Sequence, residues 1–183
     1  MLLTITTVLM LMTSYEGSIY NSGSSIYDFS EQSTLDNWNI INDVVMGGQS
    51  ISSFRLNEYG NGLFRGKVSL ENNGGFASLR YRFDKPDVQA YNSIAIRLKG
   101  DGLRYQFRVK SQKNDRQSYV YHFQTSGDWE WIEIPMAKMY PTWRGRALRM
   151  ANYPGQSMEE IAFLIANNKP EEFHLEIDQI VLK

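Results

Sequence analysis

A chain of 183 residues is ordinary for one domain and short for two, and a domain of this size buries enough surface to fold without disulfide or metal staples. The formal net charge of -1 excludes a global attraction to nucleic acid, and the absence of cysteine excludes disulfides, thiolate catalysis and cysteine-ligated zinc or iron–sulfur centres. Two histidines argue against a histidine-built metal centre. We therefore expect no metal, no cofactor and no nucleic-acid partner.

The N-terminal segment is apolar over residues 2–12, which is long enough for the core of a signal peptide and too short to span a bilayer. Small residues follow this run, but no lysine or arginine precedes it. Two interpretations stay open: an ordinary N-terminal strand, and an export signal that is cleaved or degenerate. We favour the export signal, so an exported location, periplasmic or secreted, is expected rather than a cytoplasmic one. Residues 1–25 are then a signal peptide and linker, and residues 26–183 form one domain.

From residue 26 onward the sequence alternates between apolar and polar residues, which predicts strands with one face in a core. Turn-forming Gly, Asn, Asp and Pro residues separate these stretches, and helical periods are scarce. The pattern predicts an all-β sandwich or jelly roll, with single turns at residues 35–38, 135–139 and 157–160. The predicted strands cover residues 64–70, 78–83, 94–99, 104–110, 119–124, 161–166 and 173–182, the last with a β-bulge near residues 178–179.

Two glycine-rich loops can serve either backbone geometry or ligand binding. In the loop at residues 43–50, Asp43 either contacts a ligand or caps exposed backbone amides while the glycines allow a tight bend. In the loop at residues 72–75, Asn73 either holds sugar hydroxyls or occupies a left-handed turn. We favour the structural interpretation for both loops. The residues expected to shape turns are Gly47, Gly48, Gly74, Gly75, Gly100, Asp101 and Gly102.

These loops also carry a resemblance to a known family. Residues 42–50 (NDVVMGGQS), the FRG at 64–66 and residues 71–80 (ENNGGFASLR) follow one another in the chain, and KGDGLRY and a tryptophan-containing stretch follow at 99–105 and 129–135. Together they resemble the signature of the complex I intermediate-associated protein 30 family, over about residues 26–183.

The resemblance implies a galactose-binding-domain-like jelly-roll β-sandwich, related in fold to carbohydrate-binding modules, and a non-enzymatic role. The mitochondrial members of the family are assembly factors that accompany membrane-arm intermediates of NADH:ubiquinone oxidoreductase. Because the N-terminus lacks the arginines of a mitochondrial transit peptide, the chain looks like a bacterial member. The fold is therefore expected to transfer to this chain, and the respiratory partner is not.

The polar sides of the middle strands are rich in cations. If those strands are neighbours and their faces coincide, the sheet acquires a basic surface, and arginine forks suit carboxylates and phosphates. Jelly-roll modules use such a face to bind glycans. The alternative is a solvated face with cross-strand Arg–Glu pairs, because alternation alone does not show which strands are adjacent. The cations are Arg80, Arg82, Arg97, Lys99, Arg104, Arg108 and Lys110. The polar residues Gln106, His122 and Gln124 lie between them.

A second candidate surface lies in the segment at residues 140–146. Trp143 is followed by Arg144, Arg146 and Arg149, and tryptophan and arginine are the residue types enriched at interface hot spots. The tryptophan can equally fold back to cover an open end of the core. We favour the interaction surface.

Catalysis has thin support: carboxylates are present, but no spacing marks a glycosidase pair, and the sequence holds no nucleophile elbow, no HExxH and no dinucleotide fingerprint. A hydrolase is therefore only a distant third alternative. We expect a non-catalytic, chaperone-like binding module that assists assembly or folding of a partner protein complex, with a membrane-complex assembly intermediate as the partner. The alternative is an exported carbohydrate-binding module that uses the basic, aromatic strand face.

Overall fold

The computed structural model describes residues 23–83 and 88–183, so the apolar run at residues 2–12 and most of the proposed leader lie outside the described residues. The described chain is almost wholly β-structure, with three single-turn 3₁₀ helices at Asp43–Met46, Glu71–Asn73 and Met136–Lys138. Its strands, in chain order, are β1 (Ser24–Asp28), β2 (Trp38–Asn42), β3 (Ile51–Leu56), β4 (Gly62–Val68), β5 (Ala77–Arg82), β6 (Ser93–Lys99), β7 (Arg104–Lys110), β8 (Ser118–Gln124), β9 (Trp129–Pro135), β10 (Tyr140–Trp143), β11 (Arg146–Ala147), β12 (Glu160–Ile165) and β13 (Glu171–Leu182).

The strands form two antiparallel sheets that pack face to face. The six-stranded sheet has the order β3-β4-β13-β6-β9, with β1 paired to the second half of β13. The seven-stranded sheet has the order β11-β10-β8-β7-β12-β5-β2. Inward-facing side chains such as Phe64, Leu79, Tyr105, Phe107 and Phe163 are fully buried between them. The predicted all-β sandwich is confirmed.

Strand β13 shows why alternation predicted so much of the fold. Phe173, Leu175 and Ile177 face the core, and the apolar positions then move one residue out of phase to Ile180. The register against β6 shifts between Ile177 and Gln179, which is the predicted β-bulge. A single extra residue returns the apolar side chains to the buried face, so the strand continues without exposing them.

The predicted single turns have two outcomes. The turn at residues 35–38 is confirmed by the bond from the Trp38 amide to the Leu35 carbonyl, and residues 136–138 form the expected turn after Pro135. The predicted capped turn at residues 157–160 is wrong, since Glu160 instead begins β12 between β5 and β7. Within the described ranges, no helix is long and apolar enough to cross a membrane.

Candidate functional site

The central strands of the seven-stranded sheet align polar side chains on the outer face. Arg80 on β5 and Arg108 on β7 both pair with Ala162 on β12, so they flank the same small residue. Val120 on β8 pairs with Arg108 on one side and with Tyr140 of β10 on the other, so Tyr140 lies in the same row of residues across the sheet. In the neighbouring row, Gln106 pairs with His122. We name this surface the arginine face; its residues are Arg80, Gln106, Arg108, His122 and Tyr140.

Arg108 is the half-buried cation at the centre of the arginine face. Its Nε and Nη2 atoms donate to the Gln106 Oε1 at 3.0 and 2.7 Å, and no ion pair reaches it from the described residues. Burial, followed by repulsion from Arg80, lowers the pKa of Arg108 to about 10. The guanidinium is therefore held in a position where its charge has no opposite partner.

The carboxylate nearest to this row is committed to other cations. Glu160 is buried, and one of its oxygens accepts from the Arg82 Nε at 2.7 Å. Its other oxygen lies 4.0 Å from the Arg80 Nη1. Glu160 therefore neutralises Arg82 and part of Arg80, and Arg108 is not among its partners.

His122 is a neutral neighbour of the two arginines on β7. Its Nε2 lies 2.9 Å from the Tyr140 hydroxyl, and the two rings are stacked. Burial, followed by the positive charges of Arg104 and Arg108, lowers the pKa of His122, so the ring is uncharged at neutral pH. Its Nδ1 atom is buried without a hydrogen-bond partner, as is the hydroxyl of Ser78 on β5. Neither atom is accessible from outside, so a ligand reaches them only if neighbouring side chains move.

The structure divides the seven predicted cations between two sheets. Arg80, Arg82, Arg104, Arg108 and Lys110 lie on β5 and β7 of the seven-stranded sheet. The placement of Arg97 and Lys99 on the same surface is wrong, because β6 belongs to the six-stranded sheet. The Arg97 Nη1 there donates to Asp178 at 2.7 Å, and its guanidinium lies over Trp129.

A second feature is the loop after β2, which Asp43 organises from the inside. Asp43 is fully buried; its Oδ1 accepts from the Ser50 amide at 2.9 Å, and its Oδ2 accepts from the Ser50 hydroxyl. The same Oδ2 accepts from the amides of Gly75 and Phe76 at 2.6 and 3.1 Å. Burial alone would raise the pKa of Asp43, but these hydrogen bonds outweigh it and hold the pKa below 3.8. The two glycine-rich motifs are thus tied together by one carboxylate.

The tied loop presents apolar side chains to solvent. Val44, Val45 and Met46 are 58%, 72% and 65% exposed. We name these three residues the apolar tip. Gly47 then turns the chain with a φ of 93°, and a Cβ on Gly48 would lie 2.4 Å from the Asp43 carboxyl group. Sequence reasoning missed the apolar tip, although its signal, three apolar residues between an aspartate and two glycines, is visible.

The remaining candidate turn residues also shape the backbone. Asn73 is exposed in a left-handed turn with a φ of 60°, before Gly74. Asp101 accepts from the Tyr105 hydroxyl and from the His174 amide at 2.7 Å, so it links β7 of one sheet to β13 of the other. Gly100 packs under Thr125 and Gly102 has a φ of 80°.

The Trp143 segment forms a hairpin at the edge of the seven-stranded sheet. Trp143 pairs with Arg146 across a two-residue turn in which Arg144 and Gly145 both have positive φ, as a type I′ turn requires. The guanidinium carbons of Arg116 and Arg144 lie 3.8 and 4.9 Å from the Trp143 ring centre. The ring is therefore enclosed by cations, and Arg146 stays exposed beside it.

Another depression of the described surface lies on the six-stranded sheet. It has a volume of about 460 Å³ and is lined by Ile51, Arg65 and His174, among others, on the six-stranded sheet. The arginine of this depression, Arg65, is exposed, whereas Arg108 of the arginine face is half-buried and has no ion pair with the described residues. We therefore regard the arginine face as the better candidate site. In the described part of the chain, no three His, Cys, Asp or Glu side chains form a metal-binding group.

The fold of this chain is that of a known class of β-sandwich domains. A family 11 carbohydrate-binding module from the cellulosomal cellulase Lic26A-Cel5E of Clostridium thermocellum superposes with a TM-score of 0.62 at 18% identity, covering 87% of this chain and 93% of the module. Part of the agarase AgWH50C superposes with a TM-score of 0.57 at 10% identity, covering 87% of this chain and 24% of the enzyme. These likenesses show the galactose-binding-like jelly roll expected from the sequence.

The family follows from sequence. The model of the complex I intermediate-associated protein 30 family matches residues 27–177, and the chain belongs to that family. The mouse protein named complex I intermediate-associated protein 30, mitochondrial, is 24% identical over 179 residues, which cover 85% of this chain and 54% of the mouse protein. The chain thus spans about half the length of this curated relative. The predicted family membership is confirmed.

Proposed function

We propose that this chain is a non-catalytic binding module that assists the assembly or folding of a partner protein complex. Family membership supports this role, because the mouse relative is named for its association with a complex I intermediate. The partner expected here is an assembly intermediate of a membrane complex.

The observation that carries the proposal is the apolar tip. Its three side chains are more than half exposed, yet the loop that bears them is fixed by the buried Asp43. Exposed apolar residues that are held together mark interaction surfaces, because burying them against a partner removes them from water without further ordering of the loop. The Trp143 hairpin, with Arg144 and Arg146, is the second proposed contact.

Affinity purification of the tagged protein from its own cells tests this function. The protein should recover subunits of one membrane complex, and the double variant Val45→Ser, Met46→Ser should reduce their yield at least tenfold, which corresponds to about 1.4 kcal/mol. Tyr59→Ser is the matched control, since Tyr59 is 75% exposed in the β3–β4 turn, away from the tip. Recovery of no specific subunit, or equal recovery with all variants, would refute the assembly role.

The Trp143 hairpin is tested in the same purification. Trp143→Ala with Arg144→Ala removes the ring and one of the two cations that enclose it. A loss of partner subunits with this variant, without a change in the folded fraction, would assign the hairpin to the interface. Unchanged recovery would remove the hairpin from the proposal and leave the apolar tip as its basis.

A second candidate function, glycan binding by an exported module, is favoured by the arginine face. Gln106, His122 and Tyr140 combine donors and acceptors that suit sugar hydroxyls. A family 11 carbohydrate-binding module solved with a β-1,3-1,4-mixed-linked tetrasaccharide shares the fold, with a TM-score of 0.62 at 20% identity. Retardation in gels that contain neutral or acidic polysaccharides, lost on His122→Ala, would support this function. Mass spectrometry of the mature protein would identify its N-terminal residue and so test the export that glycan binding requires.

A further inference from the structure

The side of the seven-stranded sheet that bears the arginine face has an excess of positive charge. Strands β5, β7, β8, β10 and β12 place one carboxylate there, that of Glu160, and it is committed to Arg82 and in part to Arg80. Lys110 donates to the carbonyl of Asp115 at 2.7 Å, which leaves its charge in place. The cations of this side are Arg80, Arg82, Arg104, Arg108 and Lys110. A protein with a net charge of -1 thus has a strongly basic patch on one surface.

Arg108 is the member of this set that most needs an anion. Its described contacts use one oxygen of Gln106, whereas a guanidinium has five N–H donors. A cation taken out of water without an opposite charge is costly, and Arg80 on the far side of Ala162 adds repulsion. Because two strand spacings separate β5 from β7, the bases of Arg80 and Arg108 are about 10 Å apart, with only a methyl group between them. The depression there, lined by Arg80, Arg108, Glu160 and Ala162 among others, has a volume of about 20 Å³, so an anionic group is bound by both forks only when the two arginine side chains move apart.

The groups around the gap are suited to an oligosaccharide more than to an acidic peptide. The neutral His122, which is partly exposed, and the exposed Tyr140 hydroxyl offer hydrogen bonds to uncharged hydroxyls. A peptide strand cannot add to this sheet here, since β7 and β12 are central and their backbone groups are already paired on both sides. The ligand must therefore lie across side chains.

We propose that the arginine face binds an acidic oligosaccharide, with the forks of Arg80 and Arg108 holding a sugar carboxylate over Ala162 and with His122 and Tyr140 contacting hydroxyls of the next unit. This inference rests on the glycan-binding candidate function and is independent of the apolar tip. Arginine pairs with carboxylates in a bidentate geometry, which a neutral sugar cannot offer, so the acid group sets the specificity.

Calorimetric titration of the full chain at 150 mM NaCl tests the proposal. The probes are hexamers of galacturonate and mannuronate and a hyaluronan hexamer, the same three chains with their carboxyl groups reduced, and hexaglutamate. At least one acidic hexamer should bind at least tenfold more tightly than its reduced counterpart, because only the acidic chain forms charge-assisted hydrogen bonds with the arginine forks. Added salt should weaken that binding.

Three variants locate the effect. Arg108→Gln should weaken the acidic hexamer about 10- to 100-fold, and Arg108→Lys should lose most of the same affinity because it keeps the charge without the fork. Arg55→Gln is the matched control, since Arg55 is an exposed arginine on the outer side of β3 in the other sheet. If Arg108→Gln does not fold, chemical-shift mapping of the wild-type protein should place the hexamer on β5, β7 and β8.

Each alternative outcome is decisive. Equal affinity for the acidic and reduced hexamers would overturn the proposal and leave neutral glycan binding standing. Hexaglutamate binding as tightly as the best acidic hexamer would overturn it in favour of an acidic peptide. Binding of no probe, or chemical-shift changes confined to other surfaces, would overturn both the proposal and the glycan-binding candidate function, and would leave the assembly role to be judged by its own purification.

Discussion

Replacing Asp43 by asparagine tests whether one buried carboxylate fixes the loop that bears the apolar tip. The two oxygens of Asp43 accept from the amides of Ser50, Gly75 and Phe76 and from the Ser50 hydroxyl. An amide side chain has a single acceptor oxygen. If that oxygen faces Gly75 and Phe76, the new NH₂ group must face the Ser50 N–H, and turning the side chain over only moves the conflict. Asp43→Asn therefore leaves at least one buried donor opposite another donor.

The cost of this change can be worked from the lost bonds. A buried donor without a partner costs about 1–3 kcal/mol, and a hydrogen bond to a charged acceptor is worth about 1 kcal/mol more than a neutral one. The unpaired donor and the loss of the charged acceptor together lower the free energy of unfolding by about 3 kcal/mol for Asp43→Asn. For a domain of this length, that loss lowers Tm by about 6–12 °C.

Urea denaturation followed by tryptophan fluorescence measures the change, and Asp36→Asn at an exposed position is the control. Because the folded pKa of Asp43 lies below 3.8, its stabilisation is present above that pH and is lost as pH falls through the folded pKa. The gap between wild type and Asp43→Asn should therefore be constant near neutral pH and narrow below pH 3.8. The reasoning would be refuted if Asp43→Asn and the control variant differed by less than about 0.5 kcal/mol in their free energy of unfolding at pH 7. It would also be refuted if the difference between wild type and Asp43→Asn did not narrow in acid.

Three further substitutions probe the other features. Gly48→Ala should lower the free energy of unfolding by about 2 kcal/mol in urea, because the new Cβ would lie 2.4 Å from the Asp43 carboxyl group; an unchanged midpoint would contradict this. Arg108→Gln should raise the Tm of the unliganded protein by scanning calorimetry, since it removes an uncompensated cation beside Arg80, and a lower Tm would argue that Arg108 is already satisfied. Trp143→Ala should cost about 1 kcal/mol or less, because its cation contacts lie at a sheet edge; a larger loss in the same urea assay would place the ring in the core.

Most strands that the sequence predicted alternate inward-facing apolar residues with outward-facing polar ones. In β7, Tyr105, Phe107 and Val109 are fully buried and alternate with polar residues, so period two identified the whole strand. Strand β3 shows the opposite case: Ile51 is 73% exposed and Ser52 faces the sandwich interior, so no alternation marks it. Strands β10 and β11 have four and two residues, too few to show a period.

The arginine face could be predicted only in part, because strand neighbours are not local in sequence. Arg80 and Arg108 come together through β12, which enters between β5 and β7 from about 50 residues further along the chain. Strand β6, which lies between β5 and β7 in sequence, leaves for the other sheet and takes Arg97 with it. The alternation within a single strand does not show which strands are its neighbours. The sequence therefore predicted that the face is basic but not which of the arginines lie on it.

The position of Asp43 links the family motifs to both candidate surfaces. The motif at residues 42–50 supplies the carboxylate and the apolar tip, and the motif at residues 71–80 supplies the amides that the carboxylate binds and then continues into β5. The bonded amide of Phe76 directly precedes β5, four residues before Arg80. The two motifs therefore occur together because one hydrogen-bonded junction holds the tip and begins the strand of the arginine face. Asp43→Asn should consequently disturb both surfaces, whereas Val45→Ser with Met46→Ser and Arg108→Gln should each disturb only one.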